Sequence, residues 1–238
     1  MKRLLAAMTA ASAVLLGGVA TAQPAAAAAA DCRITDYRPR AVVVGLSPVT
    51  KKFALTTDCP GWVDSWYLDV TPWWGPNVTD TSPYDTVNPT WLSNSFAGRK
   101  YGATASAWFE DPDDWTDYSV YERTFAYSFV VRRATAISSF NASPEPVAKG
   151  KPITIKGLLR SANWDQEKYL PLRYASVRVQ FKRAGTTTWS TVKTVKSSST
   201  GWVSTTVTAS YDGTWRLNYG GGSAFGSRVS GGDYVDVR

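Results

Sequence analysis

Five carboxylates crowd residues 110–117: Glu110, Asp111, Asp113, Asp114 and Asp117, with Glu122 close behind. Hard cations such as calcium take several oxygens from one loop, and carboxylates at alternating positions can supply them. Counting Asp111 as the first position puts Asp113 third, Asp117 seventh and Glu122 twelfth, which is the spacing of a helix–loop–helix calcium loop. The match fails where that loop is strictest. Its fifth position is Trp115, its sixth is Thr116 where glycine is required, and the flanks read as strands. Two readings remain: a looser interstrand calcium site on Asp111, Asp113, Asp114 and Asp117, or a solvated acidic loop. Calcium is the one cofactor the sequence suggests.

Two aromatic segments are candidates for binding. Residues 71–77 read Thr-Pro-Trp-Trp-Gly-Pro-Asn. The prolines and glycine make a turn, and adjacent tryptophans cannot both face one side of a strand. Trp73 and Trp74 therefore either cap the end of a core or offer an indole face on which a sugar ring stacks. Residues 163–169 form a long polar loop around Trp164, which either binds a ligand or folds back over the sandwich edge.

Catalysis is argued against by what is missing. The chain has no histidine, which removes His-dependent triads, His-ligated zinc and His acid–base chemistry. No Ser-x-x-Lys precedes a helix. The glutamates are only four, and paired carboxylates would need a deep cleft that small sandwiches rarely provide. The expectation is a protein that is not an enzyme. The two cysteines, Cys32 and Cys59, are expected to form a disulfide in an oxidising compartment; bridging them would stabilise the fold by about 3.5 kcal/mol.

The elements that must position these residues read as strands. Short apolar or alternating runs at 41–44, 53–57, 62–70, 103–109 and 118–131 are bounded by Gly, Pro, Asn and Asp, and no stretch keeps a helical period. Turn chemistry is clearer from 134 on. Val177, Val179 and Phe181 alternate with Ser176, Arg178, Gln180 and Lys182, residues 184–186 make a hairpin turn, and Asp212-Gly213 is a strong turn signal. The fold class is all-β: two immunoglobulin-like antiparallel β-sandwich domains in tandem after a signal peptide.

Residues 1–30 read as that signal peptide and an Ala-rich leader. Lys2 and Arg3 precede an apolar run, and small residues offer a cut after Ala22 or Ala30. No membrane span is expected once it is removed, so the protein is expected to be secreted. Charge marks the seam between domains. Residues 31–131 carry 8 Lys+Arg against 13 Asp+Glu, and residues 132–238 carry 16 against 6. The first domain is Trp-rich and acidic, and the second is basic and suits an anionic partner. No helix carries a basic stripe and no aromatic–basic RNA motif is present, so nucleic acid is not the expected partner.

The stretches 141–147, 149–151, 160–164, 191–196, 212–216 and 232–237 together resemble a family of secreted actinobacterial (Streptomyces-type) Ig-like β-sandwich proteins, to which a calcium-binding label is often attached. The resemblance covers 134–238. It implies the fold, export and a bacterial origin, and offers no catalytic or metal signature to carry over. The function expected is a secreted non-catalytic Ig-like recognition or adhesion module of the extracellular space or cell envelope. Its partners would be a glycan, an anionic envelope polymer or a protein ligand. A calcium-binding structural protein and a secreted protease inhibitor are the alternatives.

Overall fold

A computed structural model describes residues 33–58, 63–71, 75–111 and 114–238, with the side chains of 109–119 left out of the description. Among the described residues the regular structure is β-strand and two short 3-10 turns, at Pro89–Trp91 and Asn94–Phe96. No helix there is long and apolar enough to cross a membrane.

The first half contributes β1 (Ile34–Arg38), β2 (Ala41–Val44), β3 (Val49–Lys52), β4 (Ala54–Thr57), β5 (Val63–Val70), β6 (Asn77–Thr79), β7 (Tyr84–Val87), β8 (Lys100–Asp111) and β9 (Asp114–Arg133). A five-stranded sheet runs β2-β9-β8-β5-β6, with β2 parallel to β9 and the other pairs antiparallel. Two antiparallel pairs, β1 with β4 and β3 with β7, complete this half. Alternation decides which face turns in: Ala103, Ala105 and Ala107 of β8 are buried while Gly102, Thr104 and Ser106 between them are not. These small residues leave room for Tyr37, Phe53, Phe125 and Phe129, which fill the same core. The long β8 and β9 exceed the short strands expected from the sequence, because the pairing continues to the tip, where Asp111 lies opposite Asp114.

The second half contributes β10 (Thr135–Ser143), β11 (Lys151–Asn163), β12 (Lys168–Pro171), β13 (Ser176–Arg183), β14 (Ser190–Lys196), β15 (Trp202–Ala209), β16 (Gly213–Tyr219), β17 (Arg228–Val229) and β18 (Asp233–Val235). One sheet holds β10, β11, β12 and β15, and the other runs β14-β13-β16, with β17 and β18 both on β16. The chain thus starts in one sheet, crosses to the second for β13 and β14, returns for β15 and crosses again for β16. That crossing pattern is the immunoglobulin-like sandwich. Ile153, Ile155, Leu159, Val177, Val179 and Leu217 meet between the sheets, closed by Phe181 against Trp215 at 4.7 Å. Gly213 is required at its place because a Cβ would lie 2.3 Å from the Lys182 carbonyl.

The halves are joined without slack. Only Ala134 separates β9 from β10, and its N–H donates to the Val44 carbonyl at 2.8 Å while its carbonyl accepts from Ala162 N–H at 2.8 Å. Arg133 exchanges backbone bonds with Ala224 and Gly226, each 2.9 Å long. Gly98 sits at φ +78° with the Ala224 backbone so near that a Cβ would come within 2.8 Å of its nitrogen. A side chain there would be strained and would push the halves apart.

Candidate functional site

The residues singled out from the sequence are scattered in fate. Cys32, Cys59, Trp73, Trp74 and Asp113 lie outside the described residues, as does the signal segment. Asp111 ends β8, while Asp114 and Asp117 belong to β9. The acidic segment therefore joins two strands of one antiparallel pair, as the departures from the helix–loop–helix pattern required. Among the described residues no group of three or more metal-ligating side chains converges.

Trp164 sits where the two halves meet. The expected long polar loop is a tight hairpin: β12 returns on β11 with Asn163 opposite Lys168, leaving only four residues at the tip. Glu167 takes φ 49° to close it. Trp164 is 4 % exposed and belongs to the core of the other half. Its indole N–H donates to the carbonyls of Gly45 at 3.0 Å and Val44 at 3.3 Å. Asn94 holds the hairpin from the first half: its side chain accepts from Trp164 N–H at 3.1 Å and donates to Asn163 Oδ1 at 2.9 Å, and its own N–H donates to Asp165 at 3.1 Å. A ring so enclosed has no face left for a ligand. It works as a key between the halves, not as a binding platform.

The surface with recognisable chemistry is the outer face of β14-β13-β16. These three strands carry Arg178, Lys182, Lys196 and Arg216 on that face, with Arg183 and Lys193 on the opposite parity, and not one Asp or Glu. At its centre Gln180, a buried polar residue 8 % exposed, organises the rest. Its side-chain carbonyl accepts from Arg216 Nε at 2.9 Å and Asn218 Nδ2 at 3.2 Å, and its amide donates to Thr191 at 3.3 Å. Arg216 then lies flat on Trp189, with the guanidinium carbon 3.7 Å from the ring centroid, and Lys182 reaches the same indole at 5.3 Å. Burial pushes the Arg216 guanidinium down from its ordinary value, yet an arginine stays charged throughout the working range.

Aromatic faces stand here where carboxylates would ordinarily stand. Arg183, at the end of β13, lies 4.1 Å from the Tyr211 centroid. The same kind of pair recurs on the other sheet, where Lys156 of β11 lies 4.5 Å from the Trp202 centroid of β15. Four of the six acids of this half are committed elsewhere. Asp212 accepts from Val237 N–H, Asp233 from Ala142 N–H and Asp165 from Asn94 N–H, and Asp236 pairs with Arg238. Cation–π attraction orders a cation without neutralising it, so the field of the face stays positive. Half of this arrangement was visible in the sequence, since Arg178, Gln180 and Lys182 alternate along β13. Trp189 was missed. A bulge at Val192, where Val179 faces Lys193 and Gln180 faces Thr191, shifts the register of β14, and no local pattern marks which strand its neighbour reaches.

The protein is thus an all-β chain of two sandwiches, the second of immunoglobulin-like topology, bearing a preorganised cationic face. No protein-family model matches it, and no curated protein matches it. Among solved structures it is similar to the three N-terminal domains of the bacteriophage RB49 highly immunogenic outer capsid protein (Hoc). That likeness has 10% identity and a TM-score of 0.30, covering 87% of this chain and 69% of that one. A likeness to the D00-D0 domain of intimin has 13% identity and a TM-score of 0.30, covering 86% of this chain and 98% of the other.

Proposed function

We propose that this protein is a secreted, non-catalytic recognition module whose second sandwich docks on an anionic polymer of the extracellular space or cell envelope. The observation that supports it is the Gln180-centred network, which holds Arg216, Asn218 and Trp189 in place on strands free of carboxylates. Arginines fixed before binding lose little side-chain freedom on contact, and their planar forks fit carboxylate or phosphate in pairs. Export belongs to the same proposal, supported by the charge, apolar run and small-residue cut of residues 1–30; the actinobacterial kinship is proposed on the resemblance over 134–238 alone.

The test is retention of the purified chain on an immobilised anionic cell-wall polysaccharide at rising salt. Retention falls as salt screens the face, and Arg216→Ala weakens binding about three- to tenfold while the melting temperature holds within a few degrees. Retention that ignores salt, or that survives Arg216→Ala together with Lys182→Ala, refutes the proposal.

A further inference from the structure

A second surface feature lies in the acidic half and has no part in the face on β13 and β16. Across β8 and β9 the register jumps from Tyr101 opposite Phe129 to Ala103 opposite Phe125, so Ala126, Tyr127 and Ser128 together face Gly102 alone. The bulge is pinned from within. Ser128 donates to the Phe125 carbonyl at 2.9 Å and bonds the hydroxyl of fully buried Tyr37 at 2.7 Å. Tyr127 is thereby turned outward at φ 51°, 75 % exposed. A bulky residue in the left-handed region is strained, and strain held in place beside a concavity points to use of the side chain.

The concavity is there. Tyr127 stands on the wall of an open hollow of about 580 Å³, whose charged lining residues are Arg38, Arg40, Lys100 and Arg132. This volume lies within the usual span of small-ligand sites, about 300–1,000 Å³. Four cations meet in a region whose surrounding half carries more acid than base. Asp36 is spent on Arg38 at 2.9 Å and on Arg40. Arg40 is further braced over the rings of Tyr37 and Phe125, each at 5.3 Å. Lys100 and Arg132 have no carboxylate partner among the described residues; Arg132 donates through Nε to the Ser223 carbonyl at 3.2 Å, leaving its outer nitrogens for a ligand.

We infer that this hollow binds an acidic saccharide, a carboxylated pyranose whose ring lies on Tyr127 and whose carboxylate is read by Lys100 and Arg132. The exposed phenol face suits the apolar face of a sugar ring, and the cations supply the charge-assisted bonds a carboxylate takes. A linear polyanion without rings would use the cations and leave Tyr127 idle.

Titration calorimetry of the full chain with a hexuronate trimer, its fully methyl-esterified counterpart and polyphosphate tests this. The trimer binds, and the ester, which keeps the rings and loses the charge, binds at least tenfold more weakly. Tyr127→Gly removes the ring and relaxes the backbone, so it weakens the trimer about three- to tenfold with an unchanged or raised melting temperature. Lys100→Ala weakens it about two- to fivefold. In an Arg178→Ala, Lys182→Ala background, which disables the other face, the trimer still binds and Tyr127→Gly weakens it by the same factor, which separates the hollow from the face. No trimer binding, equal binding of the ester, or polyphosphate binding with trimer affinity indifferent to Tyr127→Gly overturns the inference.

Discussion

Replacing Trp164 with alanine tests the coupling of the two halves. The indole is 4 % exposed and packs in a core built from residues before 132, joined from the second half by Ala162 and, at its edge, Tyr169. Emptying such a site costs about 3–5 kcal/mol through lost burial and the cavity left behind. The donated N–H adds about 1 kcal/mol, because the Gly45 carbonyl is left with no donor from Trp164 while Val44 keeps Ala134 N–H. A total near 5 kcal/mol is a large share of the roughly 5–15 kcal/mol that holds a native protein together. In a chain of this size it lowers the melting temperature by about 10–20 °C. The assay is urea unfolding followed by far-ultraviolet circular dichroism, with amide exchange to locate the loss. The parent unfolds in one transition. The variant unfolds in two, and the early one carries the amides of β2, β8 and β9, although the substitution sits in the sequence of the second half. Trp164→Phe keeps the apolar bulk and loses the donor, and it costs about 1–2 kcal/mol. A loss below 1 kcal/mol for Trp164→Ala, or faster exchange confined to β11 and β12, refutes the reasoning.

Two shorter predictions accompany it. Gly98→Ala, at φ +78° and against the Ala224 backbone, destabilises by about 2–3 kcal/mol by denaturant melt and speeds amide exchange at Gly98, Arg133 and Gly226 before other sites. If the segment at 110–117 holds calcium, millimolar calcium raises the melting temperature over that in chelator, and Asp113→Asn with Asp117→Asn abolishes the shift; superimposable curves remove the metal.

Much of the second sandwich was legible because its strands obey a two-residue period. Val177, Val179, Val203 and Val207 are buried where the alternation put them, and Asp212-Gly213 turns where that pair demands. Trp164 was harder to read because its acceptors lie 119 and 120 positions upstream, and nothing local to residues 163–169 encodes them. The same stretch looked like a loop because it is polar. Its hairpin depends on pairing with β11, a tertiary preference that outweighs composition. Tyr127 illustrates a third kind of silence. A parity count along 118–131 gives a regular strand, and only the register across β8 reveals three residues set against one.

The tightness of the junction at Ala134 has a bearing on avidity. Modules on a loose tether sample many mutual poses, and their joint grip on a long ligand is diluted over all of them. Here a single residue, flanked by backbone bonds on both sides, permits no such sampling. A polymer touching both lobes must present its groups at one fixed interval, and it gains the full effective concentration when it does. If both lobes grip one polymer as proposed, fragments too short to bridge that interval forfeit the gain, and chain length becomes something the molecule discriminates.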